Sequence, residues 1–314
     1  MSSAGATPET LIRARGLTKA FGARTAVAGI DFEVRDGEFF GFLGPNGAGK
    51  TTTMRMIAGV SPRSGGDLQI LGRDPDLDGA AIRAQLGVVH QQETLDQELS
   101  VRENLLVFGR FFGMDRATIA ERADELLELF QLSDRAGDQV EPLSGGMKRR
   151  LSIARSLIAG PRILMLDEPT TGLDPQARHL LWDLLQRLKR TGTTIVLTTH
   201  YMDEAEQLCD RLVVMDDAKI VAEGSPRELI ERHASREVLE LRFPGGTELL
   251  DANKLAKVGD RYERLAERVI VGCENGEAAH ARALAAGLSP ESWLVRRSSL
   301  EDVFLRLTGR SLDE

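Results

Sequence analysis

Phe39-Phe40-Gly41-Phe42-Leu43-Gly44-Pro45-Asn46-Gly47-Ala48-Gly49-Lys50-Thr51-Thr52 is an apolar run followed by a glycine-rich loop. The run from Glu38 to Leu43, broken only by Gly41, predicts a strand buried on both faces. Lys50 to Ala58 predicts a helix closed by Gly59. Strand, loop and helix in that order open a parallel α/β unit. Within it, Gly44 to Thr51 matches the phosphate-binding loop pattern in the context that pattern requires. Glycines let backbone N–H groups turn inward around an anion, and the helix N-terminus adds positive potential. Lys50 is spaced to reach β- and γ-phosphates, and the Thr51 hydroxyl to ligate Mg²⁺. A plain glycine turn before a helix is the bland alternative, and the full pattern between strand and helix argues against it.

Outward from this loop, Leu11 to Leu17 and Ala26 to Val34 predict strands, with turn signals at Phe21-Gly22 and Asp36-Gly37. Leu99 to Gly160 reads as helical. Ser100-Val-Arg-Glu103 is a capping box, and Ile119, Ala123, Leu126, Leu127 and Phe130 share one helical face. Met147, Leu151, Ala154 and Ile158 share another, ended by Gly160-Pro161. Strands resume at Arg162 to Asp167 and Thr193 to Thr199, around a helix from Gln176 to Arg190. Leu212 to Met215 and Lys219 to Glu223 predict a hairpin turning at Asp216 to Ala218. Residues 11–232 are therefore expected to form the first domain, with a helical subdomain at about 92–160. Residues 235–314 read as a small α/β accessory domain. Its predicted strands lie near 238–243, 268–272 and 293–296, and its helices near 277–286 and 300–308. Residues 1–10, small and polar, are expected to be a disordered tail.

Two further stretches bear on chemistry. Ile163-Leu-Met-Leu-Asp167-Glu168-Pro169 is a buried strand ending in two acids. Asp167 fits an outer Mg²⁺ partner acting through water, and Glu168 fits a general base for an attacking water. Alone, such a pair is often just a loop; following a phosphate loop by about a hundred residues, it becomes informative. Leu143-Ser144-Gly145-Gly146-Met147 opens the next helix, and two glycines at a helix start can hold another phosphate.

With this third element the chain resembles the ABC ATPase family, and the resemblance runs over about Leu11 to Arg232. It implies an α/β phosphate-loop core with an inserted helical subdomain, ATP and Mg²⁺ as ligands, and ATP hydrolysis. It also implies that Ser144, Gly145 and Gly146 complete the ATP site of a second ATPase subunit, an identical copy docked head to tail. On the same ground Gln91 corresponds to a glutamine that binds Mg²⁺ and senses a membrane subunit. Asp174, in Gly172-Leu-Asp174-Pro175, falls in the family's D-loop, and His200 is the switch histidine that contacts the γ-phosphate. Phe21 stands where an aromatic stacks on adenine; the family more often has Tyr. Met147 and His90 replace a commoner Gln and Pro.

Leu143-Ser-Gly-Gly-Met-Lys-Arg-Arg-Leu151, Val101 to Gly113, Thr199 to Arg211 and Ser299 to Arg310 are similar to ATPases that export lipooligosaccharides (nodulation factors) and daunorubicin-type drugs. That likeness implies a separate ABC-2 type membrane permease, a drug, lipid or lipooligosaccharide as cargo, and a peripheral place on the cytoplasmic face of the cell membrane. The alternative is a non-transport ABC ATPase acting on a soluble nucleoprotein partner. Ribosome-acting members carry two ATPase domains, and DNA-repair members carry a long coiled coil. Neither pattern is seen here. A regulatory module without turnover is opposed by intact Lys50, Glu168 and His200.

The bulk properties agree. With 42% hydrophobic and 28% charged residues the chain can bury a core, and a net charge of −8 gives no general attraction to nucleic acid. Lys148-Arg149-Arg150 then reads as a solvated helix face. Cys209 and Cys273 read as reduced thiols, and the histidines show no ligand spacing with them. No apolar run approaches the roughly 20 residues of a membrane span.

Overall fold

The computed structural model describes residues 9–248, 250–259 and 261–309. The chain divides into two compact units, one running to Glu223 and one beginning at Gly224. This differs from the boundary near Arg232 expected from the sequence. The reason is Pro226–His233, a helix that packs against the last helix of the second unit. Of the expected tail, residues 1–8 lie outside the described residues. Glu9 and Thr10 are not tail: Thr10 opens the first strand, and the Glu9 carbonyl accepts the Asp36 N–H at 2.8 Å.

The first unit runs β1 (Thr10–Phe21), β2 (Arg24–Arg35), β3 (Phe39–Leu43), α1 (Lys50–Ile57), β4 (Gly65–Ile70), α2 (Pro75–Arg83), β5 (Leu86–Val89), α3 (Val101–Phe111) and α4 (Arg116–Leu129). It continues with α5 (Gly145–Ser156), β6 (Ile163–Asp167), α6 (Pro175–Arg190), β7 (Thr194–Thr199), α7 (Met202–Leu208), β8 (Arg211–Asp216) and β9 (Lys219–Gly224). A six-stranded sheet has the order β5-β6-β7-β3-β8-β9, parallel from β5 to β8. Every residue of β3, β6 and β7 is buried, as their mainly apolar runs lead one to expect of strands covered on both faces. Asp217 and Ala218, at φ 43° and 65°, form the left-handed pair that suits a two-residue link from β8 to β9.

An antiparallel sheet of order β2-β1-β4 completes this unit. Phe32 of β2 meets Phe42 of β3 edge to face at 5.1 Å, and Phe42 meets Phe40 at 5.3 Å, so aromatic packing joins the two sheets. Helix α3 opens on the Ser100–Glu103 capping box. Helix α5 stops at Ser156, short of Gly160, and Arg122 of α4 explains how. Its guanidinium takes the freed Leu157 and Ile158 carbonyls at 3.1 and 2.7 Å.

The second unit contains α8 (Pro226–His233), β10 (Glu237–Arg242), α9 (Ala252–Leu255), β11 (Arg261–Arg264), β12 (Arg268–Cys273), α10 (Gly276–Ala285), β13 (Ser292–Arg297) and α11 (Leu300–Thr308). Its strands form an antiparallel sheet of order β11-β12-β10-β13. Leu239, Leu241, Val269, Val271 and Ala279 share its core. The stretch 310–314 of the expected accessory domain lies outside the described residues. Among the described residues, no helix is long and apolar enough to cross a membrane.

Candidate nucleotide site

The loop between β3 and α1 is shaped by glycines that cannot be replaced. A Cβ on Gly44 would stand 2.2 Å from the Met215 carbonyl oxygen. One on Gly49, at φ 104°, would stand 2.5 Å from that of Ala26. Gly47 is also left-handed at φ 85°, and the Ala48 N–H closes onto the Pro45 carbonyl at 3.3 Å. Asn46 is exposed in the middle of the loop, and Thr52 is half-buried in the first turn of α1. The Lys50 ammonium curls back over the loop, donating to the Gly44 and Pro45 carbonyls at 2.7 and 3.0 Å. Burial lowers its pKa, against the opposing pull of Glu168 and Asp167.

The acids at the end of β6 face this loop. The Thr51 hydroxyl donates to Asp167 Oδ1 at 3.1 Å, and Thr198 of β7 donates to the same oxygen at 2.6 Å. Glu168 follows at φ 45°, a strained value for a non-glycine residue. Thr198 holds it there, since its carbonyl and hydroxyl oxygens both accept the Glu168 N–H at 3.1 Å. The Gln91 amide donates to Glu168 Oε2 at 3.1 Å and the Thr171 hydroxyl at 3.2 Å. His200 Nδ1 lies 3.4 Å from Oε1, and the Lys50 ammonium 3.8 Å from it. His200, with Lys50 and Thr171, holds the Glu168 carboxyl below the ordinary carboxylate range despite its burial. The carboxylate is thus charged at neutral pH.

Lys50, Thr51, Gln91, Asp167, Glu168 and His200 come together here. Asp174 does not join them: it caps α6, accepting the Ala177 N–H at 2.9 Å. Ser144 caps α5, accepting the Met147 N–H at 3.3 Å, and it and Gly145 are exposed. At Gly146 a Cβ would meet Ala177 Cβ at 2.9 Å, so the glycine lets α5 and α6 close together. Among the described residues no hydrogen bond ties Ser144, Gly145 or Gly146 to the phosphate loop. Phe21 is 54% exposed, so it is not core, and the Lys19 ammonium sits 4.8 Å from its ring centroid. Three residues on, the Arg24 guanidinium lies 3.7 Å from where a Gly47 Cβ would be, which brings the β1–β2 turn beside the loop.

The donors around the loop suit Mg²⁺. Thr51 hydroxyl, Asp167 carboxylate and Gln91 amide offer hard oxygens, few enough to leave coordination positions for phosphate and water.

Sequence reasoning missed Arg149. It is not part of a solvated face: its guanidinium donates to the carbonyls of His90 (2.5 Å), Asp167 (2.8 Å) and Pro169 (2.8 Å). Burial pulls its pKa down to about 10, against Glu204 and Asp167, and it stays a cation at neutral pH. Arg150 likewise donates to the Phe130 carbonyl at 2.7 Å. Ser152, Ile153 and Ser156, three, four and seven residues on from Arg149, are all buried, but two serines give that face no apolar signal in the sequence. Arg149→Ala should cost about 2–4 kcal/mol, since it leaves carbonyls without their charged donor. Chemical denaturation of the two proteins checks this; an unchanged midpoint would show that the clamp is not structural. Glu204 of α7 was also missed. It is fully buried, receives the Trp182 indole N–H at 3.2 Å, and has its pKa raised by burial.

A parallel sheet whose central strand β3 runs into this loop and lysine puts the first unit among the phosphate-loop nucleoside triphosphatases. The sequence matches the family profile described as "ABC transporter" over residues 27–171. It matches "Nodulation factor export protein NodI, C-terminal domain" over residues 247–309. It is 45% identical to the Nod factor export ATP-binding protein I of Paraburkholderia xenovorans (strain LB400), covering 98% of this chain and 100% of that one. With the protein of the same name from Rhizobium sp. (strain N33) it is 46% identical, covering 95% and 97%. Among solved structures, the dimeric post-hydrolysis ATP-binding cassette MJ0796, bound to ADP and Pi, is 28% identical. It superposes with a TM-score of 0.62, covering 68% of this chain and 98% of that one. The chain belongs to the ATP-binding proteins of ABC transporters, and it binds and hydrolyses ATP.

Proposed function

We propose that the chain drives an ABC-2 type exporter through a separate permease, with a lipooligosaccharide of the Nod factor kind as cargo within the broader class of drugs and lipids. The observation that carries the catalytic part is the Glu168 carboxylate, charged and faced by Lys50, Gln91 and His200. In this reading Glu168 accepts the proton of a water attacking the γ-phosphate. Lys50 leaves its loop carbonyls for the phosphates, and His200 orients the γ-phosphate. Mg²⁺, held by Thr51 and Gln91 with Asp167 acting through water, supplies charge neutralisation when bound. Ser144, Gly145 and Gly146 serve a second copy docked head to tail, and Asp174 lies at that junction. The exposed start of α5 supports this, as a helix N-terminus open to an anion from outside. Phe21 stacks on adenine.

The cargo is supported by the names of the relatives, which align over nearly the whole chain. The permease is supported by an apolar groove of about 600 Å³ beside α3, lined by Val60, Leu99, Val107, Phe108, Phe111 and Phe112. Phe111 is 78% exposed there, more than an aromatic side chain needs to be unless something covers it. A short helix of a membrane partner would hold the chain on the cytoplasmic face. Co-expressed with the permease of a neighbouring gene, the protein should copurify with membranes, and Phe111→Asp should abolish this while leaving ATP binding intact. Wild-type protein that captures no membrane protein would sink the transport reading.

A further inference from the structure

The His200 imidazole is not fixed by hydrogen bonds. Its Nδ1 lies 3.4 Å from Glu168 Oε1, close enough for electrostatic attraction, yet it is buried without a partner in hydrogen-bonding geometry. A histidine that acts on a substrate is ordinarily oriented by a bond to its second ring nitrogen. Here the neighbour that can orient it is another ring. Tyr201 has its ring centroid 4.1 Å from that of the imidazole, with the planes tilted by 42°. Successive side chains of a strand point apart. These two meet because the chain turns from β7 into α7, where the Tyr201 N–H donates to the Thr199 hydroxyl at 2.9 Å. The Arg178 guanidinium of α6 lies 4.6 Å from the centroid of the same tyrosine ring.

Three local preferences are given up in this cluster. Tyr201 is the N-cap residue of α7, a position that favours Ser, Thr, Asp or Asn, and its side chain makes no cap bond. Arg178 is the fourth residue of α6, at the end where the helix dipole opposes a cation. Its Nε is buried with no hydrogen-bond partner, and its ion pair with Asp203 is long at 3.7 Å. Local rules broken together in one place point to a site held for function.

We propose that Tyr201 is the positioning residue for His200. Its ring, held by Arg178, sets the plane of the imidazole, so that Nδ1 stays on the Glu168 side and Nε2 is left for the γ-phosphate. This rests on the role given to His200 above. The ring does the positioning and the hydroxyl takes no part, since among the described residues no hydrogen bond engages it. An aliphatic side chain would fill the space without aligning the imidazole.

The test measures single-turnover hydrolysis of radiolabelled ATP by the full-length chain, beside a Mg·ATP binding titration. Tyr201→Leu should slow hydrolysis roughly tenfold, the effect of a misdirected group, with affinity within about twofold of the parent. Tyr201→Phe, which keeps the ring, should hydrolyse close to the parent rate. Arg178→Leu should lose about threefold, and nothing further when Tyr201→Leu is already present. In a His200→Ala background, Tyr201→Leu should cost nothing more, whereas a general loss of structure would add its full factor. The inference is overturned if Tyr201→Leu keeps the parent rate, if Tyr201→Phe is as slow as Tyr201→Leu, or if Tyr201→Leu slows His200→Ala as much as it slows the parent. His200→Ala turning over at the parent rate would instead remove the role of His200 itself, and this inference with it.

Discussion

Glu168→Gln should bind Mg·ATP, accumulate as a closed dimer, and hydrolyse about 10²- to 10⁴-fold more slowly than the parent, the usual cost of losing a general base. The substitution preserves size and keeps a carbonyl oxygen for the Gln91 and Thr171 donors at 3.1 and 3.2 Å. What it removes is the charge that His200 and Lys50 stabilise. Because those neighbours depress the Glu168 pKa, the base is fully ionised at neutral pH and loses its function only as pH falls through that lowered value. The acid limb of the rate profile should therefore lie below the ordinary carboxylate range. Size-exclusion chromatography with and without Mg·ATP, beside a phosphate-release assay, measures both effects. Wild-type turnover in Glu168→Gln would move the base elsewhere, with His200 the first candidate.

Lys50→Ala should fail one step earlier and not form the ATP-bound dimer at all. In the structure the ammonium is buried and held by two loop carbonyls and a distant carboxylate. Burial already disfavours its charge, and an incoming phosphate would relieve that directly. Removing the cation leaves the phosphates without their main positive partner, so the loss should appear in binding itself. A fluorescent-nucleotide titration separates this from Glu168→Gln, which should bind normally. If Lys50→Ala binds Mg·ATP as tightly as the parent, the lysine has no part in ground-state binding.

The core of the fold was legible because burial on both faces writes itself into short apolar runs, as at β3, β6 and β7. The phosphate loop was legible because its glycines keep a fixed spacing before Lys50 and Thr51, between a strand and a helix, even though the Ala26 and Met215 carbonyls that leave no room for a Cβ are distant in sequence. Lys50, Gln91, Glu168 and His200 came from separate motifs, and their proximity could be expected only through family resemblance. Arg149 was hidden for a different reason. Its partners lie 18 to 59 residues away, and a charge run carries no mark of the carbonyls it will meet. Likewise, β4, β5 and β11 were passed over, being short and flanked by glycines or charges. The first unit's end was misplaced because α8 has an ordinary amphipathic pattern that does not say which neighbour it packs against.

The guanidinium of Arg149 has one further consequence. It is planar and rigid, and it is bonded at once to His90, whose residue lines the apolar groove, and to the backbone of Asp167 and Pro169, on either side of Glu168. These three strands of backbone form a stiff truss with a single charged node. A displacement of the groove wall at His90 would be passed through that node to the peptide units flanking Glu168. In the proposed reading, the surface that would receive a permease and the carboxylate that would activate water are joined by one side chain.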